Sequence, residues 1–273
     1  MNRKCVGKTY PKGSNTVELE AIRKYLAGIN ENGPAYAKVA PPLYSAVLSI
    51  PYTAQAVVDP EVGAEVMRLV HGEQDVTIHR LLEPGTTFET NVKIAAIEDK
   101  GSGEILAISF ENRDAKGALI SEGVNRYFIR GAKKNPADEK GRSPSSEDPI
   151  PSRLAIDKTI PVKPDQNMLY AEGSGDFFPI HTDPEFAKSV GLPGVILHGM
   201  CTLGMTLKTI VDALLKSDPR RVKRVQVRFS KPAVPAEPLH VISWDAEPGV
   251  YGFQTRNSKD QPVLTFGRVT ARN

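Results

Sequence analysis

The stretch HGMCTLGMTLKTIVDALLK, from His198 to Lys216, decides the fold. Leu203, Leu207, Ile210, Val211 and Leu214 recur at steps of three or four, the spacing of one helical face. There is little charge before Lys208, so the spacing predicts a deeply buried helix. Four segments follow: Val222–Phe229, Leu239–Ala246, Val250–Arg256 and Val263–Thr270. Apolar and polar residues alternate in each, as they do in half-buried strands. A buried helix followed by antiparallel strands implies a sheet wrapped around that helix.

Further upstream, GAKKNPADEKGRSPSSEDPIPS (Gly131 to Ser152) holds four prolines and charges of both signs. It reads as a linker or exposed loop. The division is then residues 1–130, a linker at 131–152, and residues 153–273. The two parts resemble each other. Phe110, Arg113 and Lys116 match Phe253, Arg256 and Lys259 at one offset of 143. One residue out of that register, Leu119, Ser121 and Gly123 meet Val263, Thr265 and Gly267. VTIHRLLEPG (Val76 to Gly85) resembles VQVRFSKPAVPA (Val225 to Ala236). An ordered series of matches points to duplication. Strands are expected at Phe88–Ile97, Glu104–Glu111 and Ala118–Ile129. The first part lacks a comparable helix, because Pro41, Pro42 and Pro51 break the uncharged run Val39–Val58.

Composition excludes several classes. The chain has 273 residues and a net charge of +3 without basic clusters, so no nucleic-acid partner is expected. Val39–Val58 and Ser189–Leu207 are uncharged but broken by proline or glycine, so no membrane partner is expected. Met1–Pro11 has basic residues with no apolar core after them, and Ala271-Arg272-Asn273 is not a peroxisomal address. Two cysteines, Cys5 and Cys201, make no disulfide framework. A cytoplasmic location is expected.

The chemistry lies in YAEGSGDFFPIHTDPEFAKSVGLPGVILHGMCTLG, Tyr170 to Gly204. Glycines precede Asp176 and Pro179 follows it, so the loop has a fixed path. On a turn closed by Pro179, Asp176 and His181 can converge; on a helix, five residues apart, they would diverge. A carboxylate and an imidazole at one site can activate water or trade a proton with carbon. The alternative is that Asp176 caps a turn and His181 a helix. Asp183-Pro184 starts a short helix that Gly191 ends. Gly199 opens the long helix, where the first N–H groups lack internal partners and lie at the positive end of the dipole. A carbonyl oxygen can approach that bare residue and be polarised. None of the five histidines has a second ligand at metal spacing, so no metal is expected. Cys201 reads as a small core residue. Lys223, Arg224, Arg228 and Lys231 fit phosphate partners or a solvated strand face equally well.

GSGDFFPIHTDPEFAKSVGLPGVILHGM resembles the hydratase 2 motif of the MaoC-like (R)-specific enoyl-CoA hydratases. His71-Gly-Glu-Gln74 and Asp99-Lys-Gly-Ser-Gly103 resemble the non-catalytic half of two-domain members. The resemblance implies an α+β double hot-dog fold: two antiparallel sheets joined as one pseudo-dimer, each curving around a helix, the first-half helix reduced to admit an acyl chain. It implies Asp176 and His181 as the catalytic pair and Gly199 as the oxyanion glycine. Ser174, Phe178, Pro179 and His198 are the implied substrate-binding residues. The implied reaction is reversible syn hydration of trans-2-enoyl thioesters, of coenzyme A or acyl carrier protein, to (3R)-3-hydroxyacyl thioesters, with no cofactor and with a homodimer possible. Phe178 stands where the family has asparagine. That departure keeps two alternatives open: a hot-dog thioesterase, and a non-catalytic acyl-thioester binding subunit.

Overall fold

The computed structural model describes residues 1–131 and 148–272, so most of the expected linker lies outside the described residues. Ten strands form one antiparallel sheet. In chain order they are β1 (Thr9–Thr16), β2 (Leu69–Ile78), β3 (Thr87–Asp99), β4 (Gly103–Asp114), β5 (Leu119–Arg130), β6 (Ile156–Ile160), β7 (Val222–Phe229), β8 (Leu239–Glu247), β9 (Val250–Arg256) and β10 (Pro262–Ala271). The order across the sheet is β1-β3-β4-β5-β2-β7-β10-β9-β8-β6. Either side of the β2–β7 seam, the halves repeat the same order. The expected pair of sheets is therefore continuous across its joint.

The repeat extends to side chains. Arg113 bonds the Glu111 carboxylate and the Gly117 carbonyl. Arg256 bonds Gln254 and the Asp260 carbonyl at matching positions. Across the seam, Arg224 is bidentate to Asp75, and Arg228 reaches Glu73. Two of the four basic residues near β7 thus join the halves on the outer face.

The central helices differ. The long helix α7 (Gly199–Leu214) is buried from Met200 through Leu207 and again at Thr209, Ile210 and Val211. The first half has α2 (Tyr44–Val47) and α3 (Ile50–Val58) in its place. Asn112 pins them, donating to the Ser45 carbonyl and to the Ser49 and Ser121 hydroxyls. At the matching position, Thr255 pairs with Thr206 of α7. Cys201 is a buried core residue, as expected.

Two helices, α1 (Leu19–Gly28) and α4 (Gln166–Ser174), pack together where no helix was expected. A Cβ on Gly28 would lie 2.8 Å from the Tyr170 α-carbon, and one on Gly173 would lie 2.5 Å from that of Tyr25. Each helix approaches the other through its own glycine, next to the other's tyrosine.

Candidate active site

The site begins where α4 ends. Gly175 has φ +77°, a left-handed conformation that glycine adopts without strain. The chain then runs through Asp176 to Pro179, which opens α5 (Pro179–Thr182). The Ser174 hydroxyl donates to the Tyr170 carbonyl at 2.7 Å and accepts the Asp176 N–H at 3.2 Å. Asp176 Oδ1 accepts the Phe178 N–H at 3.1 Å. Asp183, not His181, caps the following helix α6 (Pro184–Ser189), accepting from Glu185 and Phe186.

His181 is buried and held from two sides. Asn167 Nδ2 donates to its carbonyl at 2.7 Å, and its ring Nδ1 lies 2.9 Å from the Ile196 carbonyl. A carbonyl only accepts, so Nδ1 carries the proton and Nε2 of the neutral ring keeps its lone pair. His198 is the N-cap residue of α7, and its Nε2 donates to the Asp176 carbonyl at 2.9 Å. The two imidazoles stack, with centroids 3.7 Å apart. Burial lowers the pKa of both; beside the His181 ring, that of His198 is pushed down to about 4. The Asp176 charge opposes both shifts.

Asp176, His181 and His198 place one ligand-type atom each within 4.8 Å of one another. The expected convergence of Asp176 and His181 is thus present. Among the described residues, these three also lie close enough together for their donor atoms to hold a metal ion. Spacing along the chain missed them because they meet from separate segments.

Gly199 is the first residue of α7 and half-buried. A Cβ there would lie 2.8 Å from the Phe229 ring. The missing side chain therefore seats Phe229, while the N–H, at a helix start, lacks an intrahelical acceptor. Phe178 is exposed, its ring edge-on to Phe186 at 6.3 Å. Pro179 fixes the start of α5.

The sequence reading missed Asn167 and the Ile196 carbonyl as supports. It gave the first half room for an acyl chain and weighed Gln74 and Glu73 as pocket lining, but placed neither His71 nor Tyr127 at the site. His71 packs its ring against Phe229 at 4.8 Å and Tyr127 at 5.1 Å. Both His71 and Tyr127 feel the Asp176 charge. The site thus lies where the halves meet.

Comparison with known proteins agrees with this arrangement. The MaoC-like domain matches residues 146–263, and the dehydratase domain region of FAS1-like proteins matches residues 4–122. Enoyl-CoA hydratase ChsH3 of Mycobacterium tuberculosis is 33% identical, over 86% of this chain and 79% of that protein. The peroxisomal enoyl-CoA hydratase 2 of Arabidopsis thaliana is 32% identical, over 75% and 68%. The crystal structure of a MaoC-like dehydratase from Phytophthora capsici superposes with a TM-score of 0.84 at 26% identity, covering 100% of this chain and 98% of that one. Shared sequence across both halves, the continuous double sheet and the loop geometry lead to one assignment: this chain belongs to the MaoC-like dehydratases, in the two-half double hot-dog form resembling enoyl-CoA hydratase 2.

Proposed function

We propose that this chain catalyses reversible hydration of trans-2-enoyl thioesters to (3R)-3-hydroxyacyl thioesters, as a hydro-lyase of fatty acyl metabolism. The observation that carries this reading is the meeting of Asp176 and His181 beside the start of α7, with His181 Nδ1 committed to the Ile196 carbonyl so that Nε2 is left as the free base. The Gly199 N–H takes the thioester oxygen and makes the β-carbon electrophilic. His181 Nε2 removes a proton from water as its oxygen bonds to the β-carbon. The π electrons move into an enolate held at Gly199. The imidazolium, stabilised by Asp176, returns the proton to the α-carbon on the same face, giving syn addition and a regenerated site. Ser174 and His198 position the Asp176 backbone, and Phe178 and Pro179 border the approach.

The substrate is carried by coenzyme A or acyl carrier protein, the enzyme works in the cytoplasm, and two copies can pair. No helix among the described residues is long and apolar enough to cross a membrane. The thioesterase alternative has a likeness to a solved acyl-ACP thioesterase at 10% identity and TM-score 0.59, which shows the fold alone. Against a purely binding role, Phe178 still gives Asp176 its backbone N–H while its ring is exposed. Hydration of crotonyl-CoA, followed by loss of the conjugated-thioester absorbance, tests the proposal. Activity that both Asp176→Asn and His181→Ala abolish supports it. Thiol release, or binding without turnover, refutes it.

A further inference from the structure

The largely apolar inner face of the first half carries buried polar groups where β2 and β5 pair. Gln74 on β2 and Asn125 on β5 are paired in register and almost wholly buried. Gln74 Oε1 and Asn125 Oδ1 have no hydrogen-bond partner, and neither does His71 Nε2, which is shielded from solvent. The Gln74 amide makes one long bond, to the carbonyl of its neighbour Asp75 at 3.3 Å. The Asn125 amide donates to the Thr53 and Tyr127 hydroxyls, leaving its oxygen free. Leaving a buried polar atom unpaired costs about 1–3 kcal/mol. Three such atoms on one face, with no structural partner, point to a ligand that supplies the missing bonds.

These groups connect to the proposed reaction centre. Phe229 covers Gly199 at the start of α7 and packs on His71. His71 packs on Tyr127. Asn125 is two residues further along the same face of β5, about 7 Å on. A chain whose thioester oxygen sits at Gly199 therefore reaches the paired amides once the half-buried Phe229 ring swings aside.

We propose that this half selects acyl chains carrying a hydroxyl group, whose O–H donates to Gln74 Oε1 or Asn125 Oδ1. A buried acceptor without a partner needs a donor, and an alkyl tail has none. This inference rests on the proposed hydration of acyl thioesters, deepening it to a substrate class.

Binding tests it apart from turnover. Calorimetry on the full chain would compare saturated medium-chain acyl-CoAs with and without one hydroxyl, moved carbon by carbon along the tail. At one position the hydroxylated ligand should bind about tenfold tighter or more than its parent. Gln74→Met should cut that advantage to about threefold or less while the parent binds at least as well. Its melting temperature should not fall, since it removes a buried amide whose oxygen is unpaired and whose one bond is long. Asn125→Leu, which also frees Thr53, serves as the second variant. Failure of every hydroxylated ligand to bind more tightly, or full retention of the advantage in both variants, overturns the proposal and leaves a buried-water site. If hydroxylated chains bind as expected but no enoyl thioester is hydrated, the reaction assignment fails and the pocket stands.

Discussion

Tyr25, Gly28, Glu31, Pro34 and Tyr36 in the first half stand opposite Tyr170, Gly173, Asp176, Pro179 and His181 in the second, each pair 145 residues apart. Both loops leave a helix through a close-packed glycine. In both, the carboxylate accepts the N–H two residues ahead: Glu31 from Gly33, Asp176 from Phe178. In both, the proline opens the next helical turn. They part at the working groups. The Glu31 side chain is 4% exposed and lies 3.6 Å from the Lys208 ammonium, whereas that of Asp176 is 37% exposed and faces two imidazoles. Tyr36 fills the place of His181, and burial raises its phenol pKa. A neutral phenol far below its pKa cannot take a proton from water. One scaffold thus holds a carboxylate–imidazole pair at the second-half loop and, at the first-half loop, a carboxylate tied to an ammonium on α7 of the second half.

Paired substitutions sharpen that contrast. Asp176→Asn should lower kcat for enoyl-CoA hydration about a thousandfold while substrate affinity stays within about threefold. Glu31→Gln should leave kcat intact and cost about 1–2 kcal/mol in denaturant unfolding, through loss of the Lys208 tie. A comparable kcat loss in Glu31→Gln would break the division of labour.

Gly28→Ala and Gly173→Ala should each cost about 3 kcal/mol, read as a lower unfolding midpoint, because each methyl meets backbone rather than a side chain that can turn. A mild effect at either would show that the α1–α4 contact can relax.

The two halves also share an acid sensitivity. His71 titrates at about 4 in the folded protein, because burial disfavours its charge, against 6.5 when free. The unfolded chain therefore takes up that proton first as pH falls. Stability present above pH 6.5 drains away towards pH 4, by about 3 kcal/mol for this residue. His71→Phe keeps the ring packing and should flatten that limb in unfolding measured across pH. Because burial also lowers the His181 pKa, kcat/KM should stay level through pH 6.5 and fall only at more acid values.

The smallest effect belongs to the outer seam. Arg224→Ala or Arg228→Ala should cost about 0.5 kcal/mol or less, shrinking in salt, because these pairs are partly exposed.

Strands β3 to β5 and β7 to β10 were legible because apolar and polar residues alternate along them. Val222–Phe229 and Val250–Arg256 match β7 and β9 at both ends. The outermost strands were not. In β1 only Gly13 is buried, and in β6 only Ile156 and Ile160 at its ends, so neither shows sustained alternation. The helix α4 buries Gln166 and Asn167 among its polar residues, which hides its inner face from an apolar pattern. Gln166 instead bonds the Gly28 carbonyl at 2.7 Å. At the site, Asp176 and His181 were readable from glycine and proline fixing one loop. The hold of His198 on that loop was not, since it joins residues 22 apart through a main-chain carbonyl. The 145-residue series was present in the sequence but spread over short, dissimilar intervals.

The seam between β2 and β7 has a consequence for assembly. Two separate chains meeting edge to edge would come apart on dilution, and a site shared between them would vanish at low abundance. Here both edges belong to one polypeptide, which holds them at an effective concentration of about millimolar. Each newly made molecule carries its own counterpart, so the two halves meet in a fixed ratio however scarce the enzyme is.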